Sequence, residues 1–230
     1  MRFPAVAFDL DGTLYPNYRL NFRLIPFIIK EQRLLRALRR ARIQLRKSGG
    51  GRGGDFYEAQ AKIMGEILGE STEKVMEKME RLVYRGWEDN FKKIRLFPHV
   101  KETLDALRKN GVTLGLLSDF PPETKLKNLG IFEYWDTVLC SEREGFLKPD
   151  SAAFLEIAKR MGAPPEKILY VGNSVSYDVA GAHQAGMKAA LVRAVPFLPG
   201  REKRPSAAPN IRKADFIFSD YRQLRDYVLN

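Results

Sequence analysis

Six short, nearly unbroken apolar runs recur along this chain: Ala5 to Leu10, Val112 to Ser118, Trp135 to Cys140, Ile168 to Gly172, Lys188 to Val192 and Phe216 to Phe218. Continuous rather than alternating hydrophobicity is the mark of strands covered on both faces. Stretches with helical spacing lie between them. Val100, Leu104 and Leu107 fall at i, i+4 and i+7, and Asn110-Gly111 supplies a stop. Another such stretch runs from Asp150, an N-cap residue, through Phe154, Ile157 and Ala158 to Gly162. This alternation predicts an α/β fold, a doubly wound, Rossmann-like parallel sheet with helices on both faces.

Residues 16–96 break the rhythm. They read as helical throughout, with no strand pattern. Leu24, Ile28, Leu35, Leu38 and Leu45 give an apolar face to a helix over about 20–47. The glycine-rich run from Ser48 to Gly54 is a connector with too much backbone entropy for regular structure. Helices over about 56–68 and 72–90 follow, the second capped by Ser71. Pro16 and Pro98 flank the block at hinge positions. The expected organisation is a catalytic core of residues 1–15 and 97–230, with a helical cap, 16–96, inserted after the first strand.

Composition narrows the class. With 44% apolar and 29% charged residues among 230, the chain has the balance of an ordinary globular protein with a sizeable core. Its one cysteine, Cys140, allows no intrachain disulfide and points to a reducing, cytoplasmic setting. The apolar start is broken by Asp9 and Asp11, unlike a secretory leader, and no run approaches the ~20 apolar residues of a membrane-spanning helix. The net charge of +11 is concentrated. Between Arg19 and Lys47 ten Lys and Arg face one acid, Glu31, so +9 of the excess lies in this one segment.

The candidate chemistry sits where strands end. Asp9 and Asp11 close the first strand ahead of Gly12. Such a pair supplies a nucleophile, a proton-transfer partner and hard oxygen ligands for a magnesium ion. Ser118-Asp119 ends the second strand, Lys148-Pro149 follows the third, and Asn173-Ser174 ends the fourth, with Asp178 opening the next helix. In a doubly wound sheet these positions share the edge where ligands bind.

These segments resemble the haloacid dehalogenase-like hydrolase superfamily, most of whose members are magnesium-dependent phosphatases. Asp9-Leu10-Asp11-Gly12-Thr13-Leu14 is similar to its first motif, Ser118 after an apolar strand to the second, Ser141 through Asp150 to the third, and Val171 through Ala182 to the fourth. Order and spacing agree along the chain, and the helical insert sits where the family has its cap. The resemblance implies that Asp9 is the nucleophile, forming an aspartyl-phosphate. Asp11 would be the general acid and base, and its backbone carbonyl a metal ligand. An acid at position 11 points to phosphoryl transfer, because the dehalogenating branch lacks it. Ser118, Asp119 and Lys148 would hold the substrate phosphate, Thr13 would order the nucleophile loop, and Asp9, Asp11, Asn173 and Asp178 would form the Mg2+ site. Asn173 departs from the pattern, which has Asp or Glu there. One fewer negative charge implies either a weaker metal site with Asp178 compensating, or a degraded site on an intact fold.

The expected activity is therefore hydrolysis of a small phosphorylated metabolite. The alternatives are a phosphomutase using the same residues, or a weak enzyme whose basic cap binds a polyanion or acidic partner. The basic helix is open to three readings: a solvated face, attraction of an anionic substrate, or docking to nucleic acid, an acidic protein or an anionic membrane surface, the last not favoured. Cys140, His99, His183 and Trp87 carry packing or surface readings only.

Overall fold

The computed structural model describes residues 1–17, 24–49, 55–86, 91–193 and 214–230. All six apolar runs form strands of one parallel sheet: β1 (Ala5–Phe8), β2 (Thr113–Ser118), β3 (Thr137–Cys140), β4 (Ile168–Gly172), β5 (Lys188–Val192) and β6 (Phe216–Phe218), in the order β3-β2-β1-β4-β5-β6. Every residue of β1 and β4 is buried, as their unbroken hydrophobicity requires. Chain direction across the sheet reverses at β1, which pairs with β2 on one side and β4 on the other. Phe8 lies level with Leu116 and Val171, so the residues that follow these strands emerge together at one switch point.

The helices are α1 (Ile25–Lys30), α2 (Gln32–Ser48), α3 (Phe56–Leu68), α4 (Thr72–Lys78), α5 (Val100–Lys109), α6 (Glu123–Leu129), α7 (Ser151–Arg160), α8 (Ala180–Gln184) and α9 (Tyr221–Leu229). One sheet face packs Phe8, Leu114, Leu116 and Val171 against Leu104 and Leu107 of α5 and Leu224 of α9. The other packs Ala7, Leu117 and Tyr170 against Phe154 and Ile157 of α7. Expected caps are in place: Asp150 accepts from Ala152 N, and Ser71 from Lys74 N.

The helices between β1 and α5 bury an apolar cluster of their own, including Leu34, Leu38 and Ala41 of α2, Met64 of α3, Val75 of α4 and Val83. Two expectations are corrected here. The single helix over 20–47 is two, starting at Ile25 and broken at Glu31, whose backbone leaves the helical region. Pro26 explains the start, because proline lacks the N–H of a continuing helix and fits only its first turn. The helix over 72–90 changes at Met79 into a π-helical segment, Met79–Tyr84. Arg19, Trp87, most of the glycine connector and the loop over 196–209 lie outside the described residues.

Candidate active site

Asp9 leaves β1 with its amide bonded to Val171 O at 2.9 Å, so the nucleophile candidate is pinned to the sheet edge between β1 and β4. Its carboxylate is buried. Oδ1 accepts from Lys148 Nζ at 2.5 Å and Oδ2 from Thr13 Oγ1 at 2.6 Å. Thr13 is itself fixed, its carbonyl accepting from the Tyr221 hydroxyl. Lys148 Nζ also donates to Asp178 Oδ1 at 2.8 Å and approaches the Tyr170 hydroxyl at 3.3 Å. The other Asp178 oxygen accepts from Asn173 N and Ser174 N. Gly172 makes this possible, because a Cβ there would lie 2.3 Å from the Asp178 Cβ.

One ammonium between two buried carboxylates neutralises only one of them. Burial opposes the charge on Lys148, but Asp178 and Asp9 outweigh it and hold the ammonium well above its usual range. Burial, reinforced by Asp178 and only partly offset by Lys148, pushes Asp9 up to about 7. A cation bound beside Asp9 would favour its ionised form against that burial.

Asp11 faces a different set of donors. Lys125 Nζ lies 2.7 Å from both of its carboxylate oxygens, and the Tyr15 hydroxyl donates to Oδ1. Burial and the adjacent Asp11 keep Tyr15 well above its ordinary value, so it stays a donor. Lys125 is buried on α6 against the rings of Phe91 and Phe120. The Asp11 carbonyl, meanwhile, lies 3.3 Å from the Asn173 side-chain amide. Gly12 permits that approach. Its φ is +86°, and a Cβ would meet the Asn173 amide nitrogen at 2.0 Å.

Ser118 is buried at the end of β2, where its hydroxyl accepts from Phe120 N at 3.2 Å. Asp119, expected on the substrate phosphate, instead turns its carboxylate to Ser141 Oγ (2.7 Å), Lys148 N (3.0 Å) and Arg46 Nη2 (2.9 Å). Burial would raise its pKa, but Arg42, Lys148 and Arg46 hold it below the usual range. An ionised carboxylate repels phosphate, which leaves only its main-chain amide suited to an anion. Asp178 was expected on the metal, and its oxygens are engaged by Lys148 and two main-chain amides.

The basic α2 reaches this centre from above. Arg42 pairs with buried Glu142 at 2.7 Å, and Arg46 donates to the Lys148 carbonyl at 2.8 Å as well as to Asp119. Burial pushes Glu142 up to about 7 even though Arg42 opposes it. Two of the ten basic residues of this segment are therefore neither solvated nor generic. They clamp the cap helix onto the loop that carries Lys148.

The structure thus gathers Asp9, Asp11, Ser118, Lys148, Asn173 and Asp178 at one sheet edge and adds Tyr15, Arg42, Arg46, Lys125 and Glu142, which sequence reading did not single out. No local signal separates Lys125 from Lys127, two residues on and exposed. A small cavity of about 60 Å³, lined by Val83, Tyr84, Phe91, Phe120 and Lys125, adjoins the Asp11 side.

As a magnesium site the oxygen donors are the Asp9 carboxylate, the Asp11 carbonyl and the Asn173 Oδ1, the last once the amide turns away from the Nδ2–H bond that it now donates to the Asp11 carbonyl. Among the described residues no cluster of three or more His, Cys, Asp or Glu side chains encloses a metal. Magnesium keeps several waters and commonly binds through one or two carboxylates plus substrate phosphate. Oxygen donors gathered around a carboxylate that burial holds short of full ionisation fit it.

Comparisons with known proteins point to one family and fold. The model of the haloacid dehalogenase-like hydrolases matches residues 3–186. A glyceraldehyde 3-phosphate phosphatase of Methanopyrus kandleri is 27% identical over 239 aligned positions, covering 97% of this chain and 96% of that protein. A phosphoglycolate phosphatase of Salmonella paratyphi A is 31% identical over 210, covering 79% and 78%. The crystal structure of a HAD phosphatase from Thermococcus onnurineus superposes with a TM-score of 0.66 at 26% identity, over 98% of this chain and 97% of that one. No helix among the described residues is long and apolar enough to cross a membrane.

Proposed function

This chain belongs to the haloacid dehalogenase-like hydrolase family, and on that premise we propose that it is a magnesium-dependent phosphatase acting on a small phosphomonoester. The observation that carries the reading is the pair of aspartates held by separate cations, Asp9 by Lys148 and Asp11 by Lys125. Two carboxylates in different environments serve two roles. The class of substrate follows from the relatives named for glyceraldehyde 3-phosphate and phosphoglycolate, and the small cavity beside Lys125 suits so short a leaving group.

In the first step an Asp9 oxygen bonds to phosphorus and the bond to the leaving oxygen breaks, giving an aspartyl-phosphate. Asp11 enters this step carrying a proton taken up from solvent and passes it to that oxygen, and the ammonium of Lys125 and the hydroxyl of Tyr15 stabilise the carboxylate that results. In the second step Asp11 takes a proton from water, the water oxygen bonds to phosphorus, and the Asp9–phosphorus linkage breaks to release inorganic phosphate. Lys148 and the Ser118 hydroxyl supply positive charge and a hydrogen bond to the transferring group. A bound magnesium ion, held by Asp9, the Asp11 carbonyl and Asn173, would neutralise phosphoryl charge. Asp178 acts through Lys148, which it orients.

Asp9 and Lys148 are 6% and 5% exposed. Substrate therefore enters when the cap, residues 16–96, separates from the core, 1–15 and 97–230, and its return excludes water. The Arg42 and Arg46 contacts are what must part and re-form.

Two results follow. Asn173→Asp restores a carboxylate at the metal and is expected to lower the magnesium concentration for half-maximal activity roughly tenfold, which corresponds to ~1.4 kcal/mol of added attraction. An unchanged magnesium titration would remove Asn173 from the ligand set. Lys125→Met is expected to slow hydrolysis of an alkyl phosphate by about tenfold or more, because the carboxylate that Asp11 becomes on protonating the leaving alkoxide loses its counter-cation. A p-nitrophenyl ester, whose leaving group needs little protonation, should lose far less. Equal losses on both substrates would show that Lys125 does not serve the proton transfer.

A further inference from the structure

The surface of the cap helices turned away from the active site has a pattern that phosphatase chemistry does not use. On α2 the residues at i, i+3, i+7, i+10 and i+14, namely Arg33, Arg36, Arg40, Ile43 and Lys47, are all exposed. They oppose the buried stripe of Leu34, Ala37, Leu38, Ala41 and Leu45. Two steps of four residues back from Arg33 reach Ile29 and Ile25 on α1, across the single break at Glu31. The six residues of α1 include none that is buried, and Ile25, Ile28 and Ile29 are 43%, 39% and 65% exposed. Between Leu24 and Gly49, Glu31 is the only carboxylate. The result is a set of exposed isoleucines on α1 followed by a row of exposed cations on α2.

We propose that this face docks the protein on an anionic phospholipid bilayer, with the isoleucines seated among the acyl-chain boundaries and the arginine row on the lipid phosphates. Charge complementarity alone would also suit nucleic acid or an acidic protein. The isoleucines decide between them. A nucleic-acid backbone rewards cations and stacking aromatics, for which branched aliphatic side chains are poor partners. A bilayer interface takes an amphipathic helix lying flat, with apolar groups inserted and Lys or Arg at headgroup level. The inner side of α2, bearing Arg42 and Arg46, faces the core. Docking through the outer side therefore leaves those contacts free to part and re-form.

The test is co-sedimentation of the full chain with vesicles of phosphatidylcholine alone and of phosphatidylcholine mixed with phosphatidylglycerol. Binding is expected only to the mixed vesicles and should weaken as salt rises. The triple variant Ile25→Ser/Ile28→Ser/Ile29→Ser and the triple variant Arg33→Glu/Arg36→Glu/Arg40→Glu should each reduce that binding by about tenfold or more. None of these residues touches the catalytic groups, so thermal melts and aryl-phosphate hydrolysis should match the unmodified protein and report intact folding. Absence of binding to the mixed vesicles would overturn the proposal. So would binding that the serine variant leaves unchanged, or tighter binding to an oligonucleotide or polyglutamate than to the mixed vesicles.

Discussion

Asp9→Asn is expected to lower phosphate release by at least ~10³-fold, because an amide oxygen cannot form the aspartyl-phosphate on which both chemical steps depend. The same variant should change how stability varies with pH. Asp9 is pushed from an ordinary value of 3.8 up to about 7 by burial, so between about pH 4 and 7 the folded protein keeps a proton that the unfolded chain releases. Stability contributed by this group therefore falls as pH rises through that window and does not recover above it. Carboxylates held low by arginines, such as Asp119, act in the opposite direction. The difference between the melting curves of the unmodified protein and Asp9→Asn isolates Asp9. The asparagine variant should gain relative stability as pH rises from 4 to 7. A difference independent of pH would mean that Asp9 is ordinarily ionised and that its burial is compensated by Lys148 alone.

Lys148→Met should have the largest effect on the fold itself. Methionine fills much the same space, but Asp9 and Asp178 would then be buried with no counter-cation. Removing one partner from a buried ion pair typically costs about 3–5 kcal/mol. Lys148 holds its proton well above the usual lysine range, so its contribution is present throughout the neutral range and is lost only at strongly alkaline pH. The variant should therefore melt well below the unmodified protein at pH 8. It should recover part of the deficit below about pH 7, where Asp9, which burial already pushes up to about 7 with the lysine present, takes up a proton. Turnover should fall as well, by ~10² or more, through loss of charge stabilisation on the phosphoryl group. Melts shifted equally at both pH values would indicate lost packing rather than lost charge.

The strands were legible in sequence because each is a continuous apolar run, and burial on both faces leaves no other composition available to them. The first-strand aspartates, Ser118 and Asn173 were legible because they stand at the ends of those runs, and Lys148 because it sits in a motif one loop beyond the third. What sequence did not disclose is everything brought in by long-range packing. Arg42 and Glu142 are a hundred residues apart and meet only because the cap folds back on the core. In sequence Arg42 is one more cation in a basic helix. Lys125 likewise stands in an unremarkable amphipathic stretch, and only the arrival of Asp11 above α6 distinguishes it from its exposed neighbour Lys127. Asp119 shows the converse. Its position beside Ser118 suggested phosphate, whereas three cationic or protic partners make it the fastening point between the cap and the Lys148 loop.

The central claim is that Asp9 becomes covalently phosphorylated. The most direct measurement is to quench the enzyme during turnover of an aryl phosphate in magnesium, reduce with borohydride, and map the modified residue by peptide mass spectrometry. Borohydride converts an aspartyl-phosphate to homoserine, so the peptide containing residues 3–14 should carry homoserine at position 9, and none should form in Asp9→Asn. Steady phosphate release with unmodified Asp9 at every quench time, and persisting in Asp9→Asn, would contradict it.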